Sequence, residues 1–450
     1  MRYKSIEIKQ EPEKAILVGA ELRNTETLLT LAESLDELDR LSNTAGLEVV
    51  GRITQKLHLI DPSTYIGSGK VAEVISLIQS SQATVVIFDD ELSPRHQREL
   101  EKMLGDKIKL LDRSALILDI FAQHAHTHEG ALQVELAQYQ YRLPRLTRQW
   151  THLARQAGGG GARGGAGGVG LRGPGETQLE IDQREIGLKI SKLKYDIEQV
   201  RKQRQTYRNK RKKAGVPLIS LVGYTNAGKS TLLKALTGAD TYIADQLFAT
   251  LDPITRMSQL PSGRSILFSD TVGFIQKLPT SLVLAFRATL EEINEATILL
   301  HVVDMSHPNA LEHIEAVEDT LAEIEIPNGV RRLLVWNKAD LASSPIPPRL
   351  HKQQVEYDDE VVISAQSGLG IAELLDKVEA TLLKSAYTVR LLIPYSAGHL
   401  TSELFVRATV VHSEHTAEGT LMTVHLPLNL YQKYAMYQYF EKETDDVEND

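Results

Sequence analysis

A loop of the sequence, Gly223–Ser230 (GYTNAGKS), has the spacing of a phosphate-binding loop. An apolar stretch, PLISLVG, leads into it, and TLLKALTG continues from it as a helix. Glycines let backbone N–H groups turn toward a phosphate, and a helix N-terminus adds unpaired donors and a favourable dipole. We predict that Lys229 reaches the β- and γ-phosphates of a nucleotide and that Ser230 ligates Mg²⁺. The predicted nucleotide-binding residues of this loop are Gly223, Tyr224, Thr225, Asn226, Ala227, Gly228, Lys229 and Ser230.

A second segment, DTVG, has the pattern Asp-x-x-Gly and directly follows the apolar stretch LFS. Asp270 is placed to hold Mg²⁺ through water, and the Gly273 N–H is placed to sense a γ-phosphate. Between this segment and the phosphate loop lies FATLD, in which Thr250 is the candidate for completing the Mg²⁺ shell; a plain loop threonine is the alternative. Both segments would order with the triphosphate and relax after hydrolysis. The predicted residues here are Phe248, Ala249, Thr250, Leu251, Asp252, Asp270, Thr271, Val272 and Gly273, with Ser230, Thr250 and Asp270 as metal ligands.

Two later segments indicate which base is bound. LLVWNKAD ends in Asn-Lys-x-Asp, and the carboxylate of Asp340 can accept hydrogen bonds from guanine N1–H and the 2-amino group. Adenine lacks both donors, so a site of this kind discriminates by roughly 10⁴-fold. The strand end VISAQ offers backbone groups to guanine O6. We predict a GTP and GDP site that also includes Asn337, Lys338, Ala339, Asp340, Ser364, Ala365 and Gln366.

The elements that must position these segments alternate between strands and helices, which is typical of a parallel α/β sheet. All the motifs lie at carboxyl ends of strands, where such sheets bind ligands. We predict a P-loop GTPase domain with a parallel-rich sheet at residues 215–385. A small α/β domain precedes it at residues 1–120, with a strand at Ala15–Gly19 and a helix at Thr25–Leu41. A small β-rich domain is predicted at residues 386–440, and an acidic tail at residues 441–450.

Residues 121–214 read as a helical hairpin with a glycine-rich connection. Apolar residues recur at helical spacing from Leu132 to Leu153 and again from Ile186 to Val200, and Pro144 should split the first helix. Eleven glycines lie between Gly158 and Gly175, so this segment cannot bury enough apolar area to order itself. We favour an adaptable basic finger over a flexible linker.

Charge is distributed unevenly along the 450 residues. The net charge is −9, yet Leu136–Lys213 holds 18 Lys and Arg against 6 Asp and Glu. Such segregation favours a surface facing nucleic acid, with a solvated helical face as the alternative. There is no cysteine, no signal-like N-terminus and no apolar run of membrane-spanning length, so we expect a cytoplasmic protein without a membrane span. The alternating His124, His126 and His128 are expected to form a polar loop rather than a metal site.

With these residues in hand, the chain resembles the HflX family of ribosome-associated GTPases. The resemblance extends over nearly the whole chain, through FDDELSPRHQREL, LDRSALILDIFAQ, GLRGPGETQLEID, ADQLFATLDP and DTVGFI. The GPGETQLE segment, placed just before the second long helix, is specific to that family. The resemblance implies binding to the large ribosomal subunit in the GTP state and splitting or rescue of stalled ribosomes, particularly under stress. It also implies that the hairpin and glycine-rich loop touch ribosomal RNA.

Two residues depart from Ras-like GTPases. Phe274 follows Asp-x-x-Gly, where many have a water-orienting glutamine, so we expect slow intrinsic hydrolysis that a partner or an ion accelerates. Asn226 is similar to the asparagine with which cation-dependent GTPases help to hold K⁺; its alternative role is to form the loop turn. The residues predicted to serve catalysis are Lys229, Thr250, Gly273 and Asn226.

The sequence therefore predicts an enzyme-switch, in which GTP hydrolysis times attachment to and release from the large ribosomal subunit and its RNA. A G protein that acts on tRNA or another RNA particle is the nearest alternative. A regulatory GTP-binding protein with incidental hydrolysis is an alternative of another class. We expect a monomer that carries Mg²⁺.

Overall fold

The computed structural model describes residues 12–23, 28–148, 174–214, 216–238, 247–248, 254–277, 292–324, 326, 330–344, 347, 356–384 and 386–439. The chain divides into two compact units. The first unit comprises residues 1–201 together with 244–252 and 275–287, and the second unit comprises the remainder.

The first unit contains a four-stranded parallel sheet with helices on both faces. Its strands, in the order β2-β1-β3-β4, are β1 (Glu13–Leu22), β2 (Leu47–Leu57), β3 (Val85–Phe88) and β4 (Lys109–Asp112). Its helices are α1 (Leu31–Thr44), α2 (Ser68–Ser81), α3 (Pro94–Leu104) and α4 (Arg113–His124). Val71 of α2 and Leu100 of α3 pack against Ile16 and Val86, whereas Gly19 faces α1 so closely that a Cβ would meet Leu31 at 2.7 Å.

Local capping explains where these helices begin. The sequence predicted the first helix from Thr25, but α1 begins after Thr30, whose side chain caps Glu33 N–H while Glu33 bonds back to Thr30 N–H. This reciprocal capping box satisfies two helix-end donors, so the true start lies one turn later than hydrophobic spacing alone suggested. Gly67 precedes α2 as its N-cap.

The predicted helical stripes pack against each other. Helix α5 (His128–Arg142) ends before Pro144 and continues as a 3₁₀ segment, Leu143–Arg148, as the proline predicted. Helix α6 (Pro174–Ala214) contributes Ile190 and Leu193 to a cluster with Leu136 of α5. Helix α6 begins at Pro174, so GPGETQLE belongs mostly to its first turns and the sequence-based placement before the helix was wrong. The glycine-rich segment up to Gly173 lies outside the described residues.

The second unit contains the larger sheet. Its order is β10-β9-β8-β5-β7-β6, and every neighbouring pair is parallel except β6 with β7. The strands are β5 (Leu218–Val222), β6 (Ile254–Gln259), β7 (Ser265–Asp270), β8 (Ile298–Asp304), β9 (Arg331–Asn337) and β10 (Asp359–Val362). The helices that accompany them are α7 (Lys229–Thr237), α8 (Ala310–Glu323) and α9 (Ile371–Lys384). Strand β5 is flanked by β7 and β8, so the chain reverses its direction of strand addition at β5, where open α/β sheets form their binding crevice.

The last part of the second unit is a three-stranded antiparallel sheet, in the order β11-β13-β12. Its strands are β11 (Ala386–Ile393), β12 (Thr409–His415) and β13 (Thr420–Pro427). Two helices that the sequence reading missed, α10 (His399–Arg407) and α11 (Leu428–Tyr434), pack on it through Leu404 and Leu430. The expected β-rich unit is therefore a mixed one.

Candidate nucleotide-binding site

The phosphate loop connects β5 to α7 and depends on two glycines. A Cβ at Gly223 would lie 2.2 Å from the carbonyl oxygen of Val302 on β8. A Cβ at Gly228, where φ is +92°, would lie 2.3 Å from Nδ2 of Asn337. Only glycine fits at either position, and the loop can therefore lie directly against the neighbouring strands. Asn226 has φ of +60°, a left-handed conformation that asparagine tolerates better than most residues.

Lys229 is buried at the first turn of α7. Its Nζ donates hydrogen bonds to the carbonyl oxygens of Gly223 at 3.0 Å and Tyr224 at 2.8 Å. Burial lowers the pKa of Lys229 to about 8, although the charge of Asp270 opposes this shift. The Lys229 ammonium thus lies inside the loop, and a phosphate oxygen beside it would favour its protonated form.

Ser230 and Asp270 bring two oxygen donors together. The Ser230 hydroxyl donates to Oδ2 of Asp270 at 2.6 Å, and Asp270 at the end of β7 is fully buried. Hydroxyl and carboxylate oxygens are the ligands that Mg²⁺ prefers beside phosphates, so the donor set fits this ion. These two residues would hold Mg²⁺, which would neutralise charge on the β- and γ-phosphates. The third predicted ligand, Thr250, lies outside the described residues, as do Ala249, Leu251 and Asp252.

The Asp-x-x-Gly segment lies against the phosphate loop. Thr225 N–H donates to the carbonyl of Phe274 at 2.7 Å, and Phe274 N–H donates to the carbonyl of Gly223 at 3.1 Å. A Cβ at Gly273 would lie 2.9 Å from Cα of Thr225 and 3.1 Å from Nζ of Lys229. The Gly273 backbone is therefore next to Lys229, the lysine predicted to bind phosphate. Thr271 Oγ1 donates to the carbonyl of Leu221 at 2.7 Å, which joins this segment to β5.

Asn337 joins three parts of the site at the end of β9. Its side-chain amide donates to the carbonyl of Ala227 at 2.8 Å and accepts from Ala365 N–H at 3.0 Å. This residue is buried, and it holds the phosphate loop and the Ser364–Gln366 loop in one arrangement. Ser364 is also buried, whereas Gln366 is exposed.

Asp340 and Lys338 occupy the loop after β9. Asp340 is exposed at the carboxyl edge of the sheet, Ala339 N–H donates to the carbonyl of Ile363 at 3.1 Å, and Lys338 has a left-handed φ of +62°. Lys338 Nζ pairs with Asp304 at 2.7 Å. Burial alone would raise the pKa of Asp304, but the hydrogen bonds from Lys338 and Ser306 outweigh it and keep the pKa low. Asp304 was not among the predicted site residues; its signal was an acid at the end of the apolar strand ILLHVVD.

Phe248 belongs to the first unit. It is 3% exposed, has φ of +59°, and meets Phe121 of α4 edge to face at a centroid distance of 4.5 Å. In the same unit, Lys277 pairs with Asp89 at 2.5 Å and with Asp90 at 2.6 Å. Val272, a predicted residue of the Asp-x-x-Gly segment, is buried within the second unit.

The three alternating histidines form the expected polar loop only in part, because just His126 lies between helices. His124 ends α4 with its Nδ1 2.8 Å from the carbonyl oxygen of Ile120, and His128 begins α5. Within the described part of the chain, no group of histidines and carboxylates is arranged to chelate a metal ion. None of the described helices combines the length and apolar character required to cross a bilayer.

Three family models match consecutive parts of the chain. A GTP-binding GTPase N-terminal model matches residues 32–122, and a GTP-binding GTPase middle-region model matches residues 124–211. A model described as 50S ribosome-binding GTPase matches residues 218–338. Together with the sheet and the loops at its carboxyl edge, these matches define a P-loop GTPase, an enzyme that hydrolyses GTP.

Similar proteins identify the family. The chain is 45% identical over 92% of its length to the GTPase HflX of Alkalihalophilus pseudofirmus, of which it covers 93%. It is 42% identical over 88% of its length to the GTPase HflX of Escherichia coli K12, of which it covers 90%. A solved GTP-binding protein of Sulfolobus solfataricus in complex with GDP is 23% identical, with a TM-score of 0.42 over 83% of this chain and 99% of that one. The curated relatives show that the chain belongs to the HflX family of GTPases.

Proposed function

We propose that this GTPase binds the large ribosomal subunit in its GTP state and that hydrolysis times its release. We further propose that binding splits or rescues stalled ribosomes in the cytoplasm, particularly under stress. The observation that carries the proposal is a set of exposed cations around α6, in a chain whose GTPase domain matches a 50S ribosome-binding GTPase model. The cations are Arg184, Lys189, Lys192, Lys194, Arg201 and Lys202.

The chemistry of α6 suits RNA phosphates. One face of the helix packs on α5, which leaves the cations on its other sides in water. Lys189 Nζ also lies 5.5 Å from the centroid of the Tyr139 ring. This cation–π contact stabilises the ammonium and leaves its charge in place. Contacts of this type release counterions from RNA, so affinity should fall steeply as salt rises. The glycine-rich segment between the hairpin helices would add backbone contacts to phosphates.

The test is cosedimentation of the full chain with purified large and small subunits in GTP, GDP and a non-hydrolysable GTP analogue. We expect pelleting with large subunits in GTP and the analogue, and little pelleting in GDP. Reversal of Lys189, Lys192 and Lys194 to glutamate should weaken binding by about tenfold or more. The control reverses Lys56, Lys107 and Lys109, which are exposed on or beside β2 and β4, the two edge strands of the first unit's sheet; we expect this variant to bind large subunits normally.

Several outcomes would contradict the proposal. Binding that is independent of nucleotide and unaffected by deletion of Gly158–Gly170 would contradict the role of the hairpin and its loop. Competition by tRNA at equal affinity, with no preference for large subunits, would support the alternative RNA partner instead. Large subunits that bind without changing GTP turnover would indicate a passive binder. Splitting is measured separately, as the loss of intact ribosomes on a sucrose gradient.

We also propose that K⁺ assists hydrolysis beside Asn226. The residue after Asp-x-x-Gly is Phe274, whose buried ring cannot orient water, so a positive charge from another source would have to stabilise the transition state. Asn226 lies within the phosphate loop, and its left-handed φ supports a turn-forming role equally well.

The variant Asn226→Gly separates these two roles, because glycine accepts the left-handed backbone but provides no amide oxygen. We expect the wild-type chain to hydrolyse GTP faster in K⁺ than in Na⁺, and the variant to hydrolyse at one slow rate in both. Equal wild-type rates in the two salts would contradict the K⁺ site. A variant that keeps its K⁺ response would assign Asn226 to the turn alone.

A further inference from the structure

Three aromatic rings form a column beside the phosphate loop, within the second unit. The Tyr224 ring stacks flat on the imidazole of His313, with centroids 3.9 Å apart and an angle of 4° between the planes. The His313 imidazole also contacts that of His307, with centroids 4.4 Å apart and an angle of 36°. Tyr224 is 4% exposed, and His313 lies in the first turn of α8. Neither histidine belongs to the nucleotide-binding motifs.

Backbone hydrogen bonds hold the outer ring of the column. Asn309 N–H donates to Nδ1 of His307 at 3.1 Å, and His307 N–H donates to the carbonyl of Asp304 at 3.2 Å. Because a backbone N–H can only donate, Nδ1 of His307 acts as the acceptor and carries no proton in this arrangement. The column therefore extends from the end of β8 to the phosphate loop.

The backbone around Tyr224 is connected to the residues that act on GTP. The Tyr224 carbonyl oxygen accepts a hydrogen bond from the ammonium of Lys229 at 2.8 Å. The peptides on either side of Tyr224 pair with Phe274, through Thr225 N–H and the Gly223 carbonyl. A shift of Tyr224 would move both the lysine and the start of the segment after Gly273.

This connection matters because the side chain at position 274, a phenylalanine, cannot orient the attacking water. Phe274 is apolar and buried, so the backbone near Gly273 must lie in the correct position itself. The two backbones pack so closely that a Cβ added at Gly273 would lie 2.9 Å from Cα of Thr225, which leaves little tolerance for displacement. Misplacement by about 1 Å can lower a catalysed rate by around 100-fold.

We propose that His313, supported by His307, is a positioning residue for GTP hydrolysis. It acts through Tyr224, by holding the phosphate loop and the Asp-x-x-Gly segment in the spacing that hydrolysis requires. The ground-state grip on nucleotide comes from Lys229 and the loop N–H groups, so the column governs the rate of the chemical step more than affinity. This inference depends on GTP hydrolysis alone and not on the ribosomal partner.

The test compares His313→Ala, which removes the stacked ring, with His313→Phe, which keeps a flat ring and removes both nitrogens. Glu315→Ala, at an exposed position on the same helix, is the matched control. Single-turnover GTP hydrolysis and the Kd for GTP are measured on the full chain, with the unfolding temperature alongside. We expect His313→Ala to lower the rate at saturating GTP by about tenfold, the upper range for loss of a stacked aromatic pair. The Kd should change by less than about twofold, and His313→Phe should restore most of the rate.

Other results would overturn the inference. A His313→Ala rate within twofold of wild type would show that the column does not position the site. Equal losses in affinity, rate and unfolding temperature, with no rescue by phenylalanine, would assign the ring a purely structural role. If His313→Ala does not fold, the decision falls to His313→Leu, which fills the space without a flat ring, compared with His313→Phe. We then expect His313→Phe to keep most of the rate and His313→Leu to lose about tenfold, and equal rates in the two variants would contradict the inference.

Discussion

We expect Asp340 to select the base in the proposed nucleotide site. It is exposed after β9. The loop that contains it is anchored by the ion pair of Lys338 with Asp304 at 2.7 Å and by the hydrogen bond from the Asn337 amide to the carbonyl of Ala227. Its carboxylate can accept both guanine donors at once, and charged acceptors make hydrogen bonds of about twice the ordinary strength. The structure brings the phosphate loop, the Asp-x-x-Gly segment and the loops after β9 and β10 to one edge of one sheet, whereas Phe248 lies in the first unit.

We expect Asp340→Asn to bind GTP at least about 100-fold more weakly, because the asparagine NH₂ would face the guanine 2-amino group. Xanthosine triphosphate is the internal control. Its C2 carbonyl accepts a hydrogen bond, so the variant should bind it better than it binds GTP. Competition binding with a fluorescent nucleotide measures both. An unchanged preference for GTP over ATP and over xanthosine triphosphate would remove Asp340 from the base site.

At the scale of elements, the first unit contains a buried ionic cluster where β3 and α4 meet. Asp89 accepts from Arg113 at 2.7 Å, from Ser34 at 2.7 Å and from Lys277 at 2.5 Å, and Arg113 also pairs with Glu37. Burial alone would raise the pKa of Asp89, but the charges of Arg113 and Lys277 outweigh it and the pKa is lowered. The carboxylate therefore stabilises the folded state at every pH above its ordinary pKa of 3.8.

Asp89→Asn should cost about 3 kcal/mol of unfolding free energy at pH 7, because it removes one of the two carboxylates that pair with the buried Arg113 and leaves only Glu37. The difference from wild type should stay constant down to about pH 5 and shrink below pH 4, as wild-type Asp89 protonates. Urea unfolding at several pH values measures it. Asp36→Asn is the control, since Asp36 pairs with Arg52 in solvent and should cost less than about 1 kcal/mol. A loss equal to that of the control would show that the cluster does not stabilise the fold.

Helices and strands could be predicted from the sequence where a local pattern of residues marks them, whereas contacts between distant segments could not. Strand β5, the loop and α7 follow from apolar residues next to glycines, and Pro144 marked the end of α5. The start of α1 was misplaced because capping by Thr30 outweighs hydrophobic spacing. Helices α10 and α11 were missed because each is short, α10 lying between two strands and α11 directly following the strand β13.

The same distinction holds within the site. The motifs named the phosphate loop and the Asp-x-x-Gly segment, since each is a continuous run of residues. The bridge by Asn337 between Ala227 and Ala365, and the stack of Tyr224 on His313, join segments that are distant in sequence. No periodicity or spacing encodes such contacts, because they depend on how the strands are ordered in the sheet.

At the scale of the whole molecule, the chain joins a GTPase sheet to a strongly basic helical segment. The 18 Lys and Arg of Leu136–Lys213 contrast with an overall net charge of −9, so the positive potential is confined to one part of the chain. In the proposed function, such a distribution would steer association with RNA, while the acidic remainder would limit nonspecific binding. Slow intrinsic hydrolysis, expected from Phe274, would keep the GTP state intact until a partner is engaged.

The most direct test of the central claim is GTP turnover of the full chain with purified large subunits, with small subunits as the matched comparison. Lys229→Ala, which should not bind nucleotide, measures contaminating hydrolysis. The account predicts that large subunits accelerate turnover by at least about tenfold and that small subunits do not. Turnover that is the same with large subunits, with small subunits and with neither would contradict it.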